Sequence, residues 1–250
     1  MSPAASGAGK LAALLGKDAR GVARDGFLLF MLGYGILIAG LLRILAPRVP
    51  LDDFGLLVAP AAPLIAALLA GDVLGFSLIE EREARTWLLL RVLPLPERSL
   101  QGYLIGAATA LGLASAGLAT AVYGQPIVRP WLFGWALLAC AQSTPLMMLF
   151  LGAFASNKIE GLALGKLSGI VTAAPILAFV VPAPWHRLLW WDPWYWLYLA
   201  LLRSQASDDA LAAAPVLMPS LSDAALVAIP IALSLVACAW LVRRFRRVAA

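Results

Sequence analysis

Residues 72–103, DVLGFSLIEEREARTWLLLRVLPLPERSLQGY, decide how the rest of the chain is read. An apolar run ends at Ile79, and a charged knot of Glu80, Glu81, Arg82, Glu83 and Arg85 follows at once. A short amphipathic piece then stops at Leu93-Pro94-Leu95-Pro96, and a second apolar run opens at Leu100. Two apolar runs joined by a charged, proline-terminated amphipathic piece describe two membrane crossings with an exposed helical elbow between them.

Composition supports that reading across the whole chain. With 62% hydrophobic and 13% charged residues and a mean hydropathy of +0.87, the chain carries more apolar surface than a soluble core of 250 residues can bury. Crossing about 30 Å of hydrocarbon takes roughly 20 helical residues. Runs of that kind occur at 27–45, 54–79, 100–123, 131–154, 161–181 and 224–242. The expected fold is therefore a single all-α integral membrane domain, residues 1–250, with six transmembrane helices. Lys166 and Pro175 interrupt the fifth run, and Pro60, Pro63 and Pro230 lie inside others, where a kink is tolerated if neighbours satisfy the freed carbonyls.

Basic residues orient the spans. With the N-terminus inside, only Arg43, Arg48, Arg129, Arg187 and Arg203 of the 19 Lys and Arg residues fall on the outer side. The others cluster at 10–24, 82–98, 158–166 and 243–247, so both termini are expected in the cytoplasm and the chain in a bacterial-type inner membrane. The net charge of +5 comes from these scattered clusters and forms no stripe interleaved with aromatics, which argues against nucleic acid as a partner. The last cluster, Arg243, Arg244, Arg246 and Arg247, suits anionic lipid.

From Lys10 to Arg24, Leu11, Leu14, Leu15, Ala19 and Val22 recur at helical steps, as expected for an interfacial amphipathic helix or for a cytoplasmic helix flanking the first span. Gly-Lys pairs at 9–10 and 165–166 lack the G-x-x-x-x-G-K-[ST] spacing that cradles a nucleotide's phosphates, so any ATPase must be another polypeptide. Asp72 is the one carboxylate well inside an apolar run. A charge there costs about 2.5–3.5 kcal/mol on insertion scales, which makes Asp72 a candidate for the substrate path or for gating. It lies roughly 10 Å from the cytoplasmic end of its helix, and a wet inner cavity or a basic partner would equally satisfy it.

Gly71 and Gly75 have the small-xxx-small spacing that lets another helix approach, and spans three and four are rich in small residues. Gln142, Ser143 and Thr144 form a polar notch before Pro145, able to line a path or to satisfy carbonyls freed by the proline. Residues 182–223 form a long outer segment holding five of the nine tryptophans, the composition of an aromatic belt or of short re-entrant helices capping an exit. His186 is the sole histidine, which excludes a centre of clustered histidines, and Cys140 and Cys238 read as apolar filler within spans.

The run Glu81-Arg82-Glu83-Ala84-Arg85-Thr86-Trp87, ending in Pro94-Leu95, resembles the loop after the second span in ABC transporter permeases of the type-2 exporter class. Glu81, Arg82, Glu83, Thr86, Pro94 and Leu95 match the family pattern, while Arg85 replaces its usual Gly and Leu88 its usual Glu. The resemblance implies a coupling helix in which Glu81, Arg82, Glu83, Thr86, Trp87 and Leu88 contact a separate ATPase. The loop Asn157-Lys158-Ile159-Glu160-Gly161, followed by Ala163 and Lys166, resembles a drug-export branch of these permeases that includes fluoroquinolone-type exporters. There Lys158 and Glu160 help form a second, smaller cytoplasmic contact; the other reading is helix-end anchoring, with Lys158 and Lys166 at the lipid headgroups.

What the resemblance implies is a transport subunit and not an enzyme, with no cofactor of its own, since ATP and magnesium sit on partner ATPase subunits. A second permease copy or a paralogue completes the pair, and a hydrophobic or drug-like small molecule is moved outward. Two other classes stay open. A motor-independent channel or secondary transporter would use Asp72, and an intramembrane lipid-modifying enzyme would have only Glu80, Glu81 and Glu83 to work with.

Overall fold

In a computed structural model of the chain, the structure describes residues 16, 20, 21, 23, 24, 26–49, 54–84, 97–172, 175, 182–213 and 221–249. They are helical, with no strand among the described residues. In order they form α1 (Gly26–Leu45), α2 (Phe54–Glu83), α3 (Glu97–Tyr123), α4 (Pro130–Ala141), α5 (Ser143–Phe154), α6 (Lys158–Thr172), α7 (Pro193–Gln205), α8 (Asp208–Ala213) and α9 (Asp223–Ala249). Short 3-10 turns occupy Ala46–Arg48 and Ala183–Leu189. Most of the amphipathic stretch 10–24 and the elbow 85–96 lie outside the described residues.

Among the described residues, four stretches are long and apolar enough to cross a membrane: Val58–Glu83, Gln101–Tyr123, Pro130–Phe154 and Asp223–Phe245. The chain is a multi-pass all-α membrane protein. Val58–Glu83 and Pro130–Phe154 are 72% buried and the other two about a third or less, so these two, the second and fourth of the expected spans, are the inner pair of the bundle. α2 is the centre, packing on α1, α3, α4, α5, α6 and α7.

Glycine makes this packing possible. A Cβ on Gly71 would stand 2.7 Å from both the Met147 Cβ and the Thr144 carbonyl, and one on Gly75 would stand 2.7 Å from Leu151 Cδ1. The small-xxx-small pair is thus the face on which α2 meets α5, with backbone close to backbone. On the other side of α5, Gly112 of α3 lies against Thr144 and the Ala141 carbonyl, where a Cβ would come within 2.8 Å of that oxygen. Thr144 sits between the two glycine faces and donates its hydroxyl to the Ala67 carbonyl at 2.7 Å.

The fourth span bends at Gln142, which ends α4 and precedes α5. Pro145 has no N–H to offer the Ala141 carbonyl, and the Gln142 N–H turns back to Ala139 at 3.1 Å, tightening the turn. At the outer end of α3, Gly124 takes the left-handed φ of 74° that closes the helix. Arg43 of α1 reaches over to give Val122's carbonyl a hydrogen bond of 3.0 Å.

The end of the fifth run, expected at 161–181, lies outside the described residues save Pro175, and the segment after it is helical in part. α6 is described over 15 residues, Lys158–Thr172. α7 then runs beside the fourth span: its Trp194 indole donates to Ser143 Oγ at the α4–α5 bend, and its Ser204 carbonyl accepts the N–H groups of Val128 and Arg129 where α4 begins. Its 13 residues, about 20 Å long, therefore lie against the outer half of the fourth span and not beyond it. The reason is composition: Tyr195 to Leu202 is buried on every face, and a helix apolar all round has no solvent side to present. Pro193 at the first turn and Asp192, whose carboxylate accepts the Trp194 N–H at 2.9 Å, start it.

The aromatic segment is thus divided between the two roles expected of it. Trp185, Trp190 and Trp191 are exposed, as a belt requires, while Tyr195, Trp196 and Tyr198 are core. Ion pairs Arg129–Asp208 and Arg203–Asp223 tie the outer ends of α4, α7, α8 and α9 together.

The glycine contacts make a direct prediction. Gly71→Ala should destabilise the detergent-solubilised chain by about 1–3 kcal/mol through overpacking, read as a fall in the midpoint of its thermal unfolding. Gly134→Ala, where a Cβ meets nothing within 4 Å, should leave that midpoint unchanged or raise it slightly. Equal effects at both positions would contradict the packing described.

Candidate functional site

At the end of the bundle where α2 and α5 finish and α6 begins, two stretches that are far apart in sequence form one cluster. Lys158, the first residue of α6, pairs its ammonium with Glu80 of α2, 78 residues away. Its backbone N–H points at Glu83 Oε1, 3.3 Å distant. Arg82 donates one guanidinium nitrogen to two carbonyls in the last turn of α5, Gly152 at 2.8 Å and Ala155 at 3.1 Å. Those carbonyls have no helical partner of their own, so a cation placed there satisfies both hydrogen bonding and the negative end of the α5 dipole.

The start of α6 is capped locally. Asn157 Oδ1 accepts the Glu160 N–H at 2.9 Å, and Glu160 returns its carboxylate to the Ser156 N–H at 2.7 Å, a reciprocal arrangement of the capping-box kind. Glu160 therefore shapes its own turn, while Lys158 reaches across to α2. Gly161, one residue on, lets α6 lie against α2: a Cβ there would stand 2.8 Å from Ile79 Cδ1. Arg244 of α9 stacks on Phe154 at 4.2 Å, bringing the C-terminal basic cluster to the same end.

Of the residues expected to form the coupling surface, Glu83, Lys158 and Glu160 are exposed and Glu81 and Arg82 are half-buried in this cluster; Thr86, Trp87 and Leu88 lie outside the described residues. The Glu80–Lys158 pair is open to solvent and contributes little by itself. The Arg82 bonds, half-buried and doubled, weigh more. The cluster joins the ends of α2, α5 and α6.

The residues expected along a path separate. Thr144 and Ser143 are buried and spend their hydroxyls on interhelical bonds, to Ala67 and with Trp194, and Gln142 forms the bend between α4 and α5. Asp72 instead faces a cavity of about 300 Å³ between α2, α5, α6 and α7, lined also by Leu68, Leu69, Met147, Gly165, Ser168, Thr172 and Tyr198. Its buried Oδ1 has no hydrogen-bond partner among the described residues. Gly165 faces that oxygen, with a hypothetical Cβ 3.9 Å away. Ser168, Thr172 and Tyr198 were not singled out from the sequence; the four-residue spacing of Ser168 and Thr172, beside glycines at 165 and 169, is the signal that marks one face of α6.

Arg82→Ala should lower stability by about 1–3 kcal/mol, because two carbonyls lose their donor, and Arg82→Lys should recover part of that loss. Thermal unfolding of the purified chain in detergent measures both; an unchanged midpoint for Arg82→Ala would show that the bonds do not hold α5 to α2.

Helices, inner cluster and cavity can now be set beside known proteins. Two curated relatives, the fluoroquinolones export permease proteins MT2760 of Mycobacterium tuberculosis strain CDC 1551 / Oshkosh and Rv2686c of strain ATCC 25618 / H37Rv, are each 27% identical over 201 residues. The alignment covers 74% of this chain and 79% of each relative. The family model described as fluoroquinolones export permease protein Rv2686c-like matches residues 18–232, which takes in α1 to α8 and the start of α9. The chain belongs to the Rv2686c-like family of fluoroquinolone export permeases.

Proposed function

We propose that the chain is the membrane-spanning subunit of an ATP-driven ABC exporter, carrying a hydrophobic or drug-like small molecule outward and powered by separate ATPase subunits. In this reading it crosses a bacterial inner membrane six times, keeps both termini in the cytoplasm and works beside a second copy or a paralogue. α6 and α7 together take the place of the fifth crossing. The family and the names of the relatives support export of this substrate class.

The observation that carries the coupling is the inner cluster. A rigid-body push on an elbow at 85–96 enters the bundle through the end of α2. Glu80, Arg82 and Glu83 pass it to α5 and to the start of α6, and these three helices are walls of the Asp72 cavity. Displacing the elbow therefore changes the cavity's shape without any covalent chemistry on the substrate. Asp72 itself favours a second reading, a motor-independent channel or secondary transporter in which the intramembrane acid is the working group.

A pull-down of the tagged chain from its host membrane tests the first reading. A protein with a phosphate-binding loop should copurify with the unaltered chain and be lost with the triple variant Glu81→Ala, Arg82→Ala, Trp87→Ala. Absence of any such ATPase from chain that remains folded would overturn it and bring the Asp72 transporter forward.

A further inference from the structure

The Asp72 cavity has a neighbour. A second cavity of about 270 Å³ is lined by Leu146, Phe150, Leu164, Leu167 and Trp194, and it shares Met147 and Ser168 with the first. The two adjoin along those two side chains, as neighbouring lobes. One lobe contains a carboxylate; the other is apolar and aromatic.

The polar groups of the first lobe are biased toward accepting. Ser168 Oγ gives its hydrogen to the Gly165 carbonyl at 2.8 Å, and Thr172 Oγ1 gives its own to Gly169 at 3.1 Å. Both oxygens are left to accept, as are those of Asp72, and no Lys or Arg is among the described residues lining either lobe. Tyr198 adds an aromatic ring to the same wall. A ligand entering this lobe is asked for N–H donors and positive charge, because buried carboxylates are tolerated when paired and aromatic rings attract cations. The second lobe, with Phe150 and Trp194, asks for an apolar or aromatic body.

We propose that these two lobes form an intrasubunit binding site for amphiphilic cations, with an ammonium group seated against Asp72, Ser168 and Thr172 and its apolar body between Phe150, Leu167 and Trp194. The proposal deepens the export reading by naming the charge and shape of the compound carried. It requires no ATPase, so the site and the motor coupling stand or fall separately.

The test is equilibrium binding to the full chain in lipid nanodiscs, using three probes with the same fluorescent body. Dansylcadaverine carries a primary ammonium, its N-acetyl derivative is neutral, and dansyl-6-aminohexanoate is anionic. The unaltered chain should bind the cationic probe roughly tenfold or more tightly than either of the others, the scale of a charge-assisted hydrogen bond. Asp72→Asn should abolish that preference while leaving the neutral probe unaffected, and Asp72→Glu should keep it. Gly165→Leu covers the Asp72 carboxylate from across the cavity, where there is ordinary contact distance for a side chain, and should weaken the cationic probe independently of any change to Asp72. Equal binding of the three probes by the unaltered chain, or an undiminished preference in Asp72→Asn, overturns the site, and the first of these comparisons needs no variant to fold.

Discussion

The close approach of α2 and α5 is the contact on which the remaining structure depends. Between lipid-embedded helices the hydrophobic effect offers no net drive to associate, so packing and interhelical hydrogen bonds must do so. Gly71 and Gly75 remove the side chains that would hold the helices apart, and Thr144 bonds to the Ala67 carbonyl across the gap. With the second and fourth spans locked, α3 closes on one side through Gly112, and α6 and α7 close on the other around a space the pair does not fill.

That arrangement explains why polar residues divide into two sorts. Ser143 and Thr144 are satisfied inside the bundle and make it rigid. Asp72 is set one turn further along α2, at a level where α6 presents Gly165 and no side chain reaches back to it from the described residues. A carboxylate left in that position costs stability unless something it can pair with occupies the site, which is the usual mark of a residue kept for function and not for folding. α2, α5 and α6, which wall the cavity around it, are also the helices joined by the inner cluster.

The membrane character and most of the helix runs were legible from local sequence. The structure's α1, α2, α3 and α9 begin within three residues of the apolar runs, and Gly71 and Gly75 were identifiable as a contact face. The candidate site was legible in parts only. Glu83 and Lys158 were named as members of separate contacts, and their shared cluster was not foreseen; Ser168 and Thr172 share a helical face with Gly165 and Gly169, but nothing local said that this face meets Asp72 and Tyr198. The aromatic stretch after 182 suggested both a belt and a re-entrant piece, and nothing local said which tryptophan belonged to which.

The division has a physical cause. Transfer into hydrocarbon depends on the composition and length of one segment, so sequence alone determined the class and the helical character of the chain. Which helices touch depends on shape and on partners distant along the chain. Only the tertiary structure decided that Lys158 meets Glu80, that α7 turns back beside the outer half of the fourth span, and that Asp72 faces a cavity instead of a basic group.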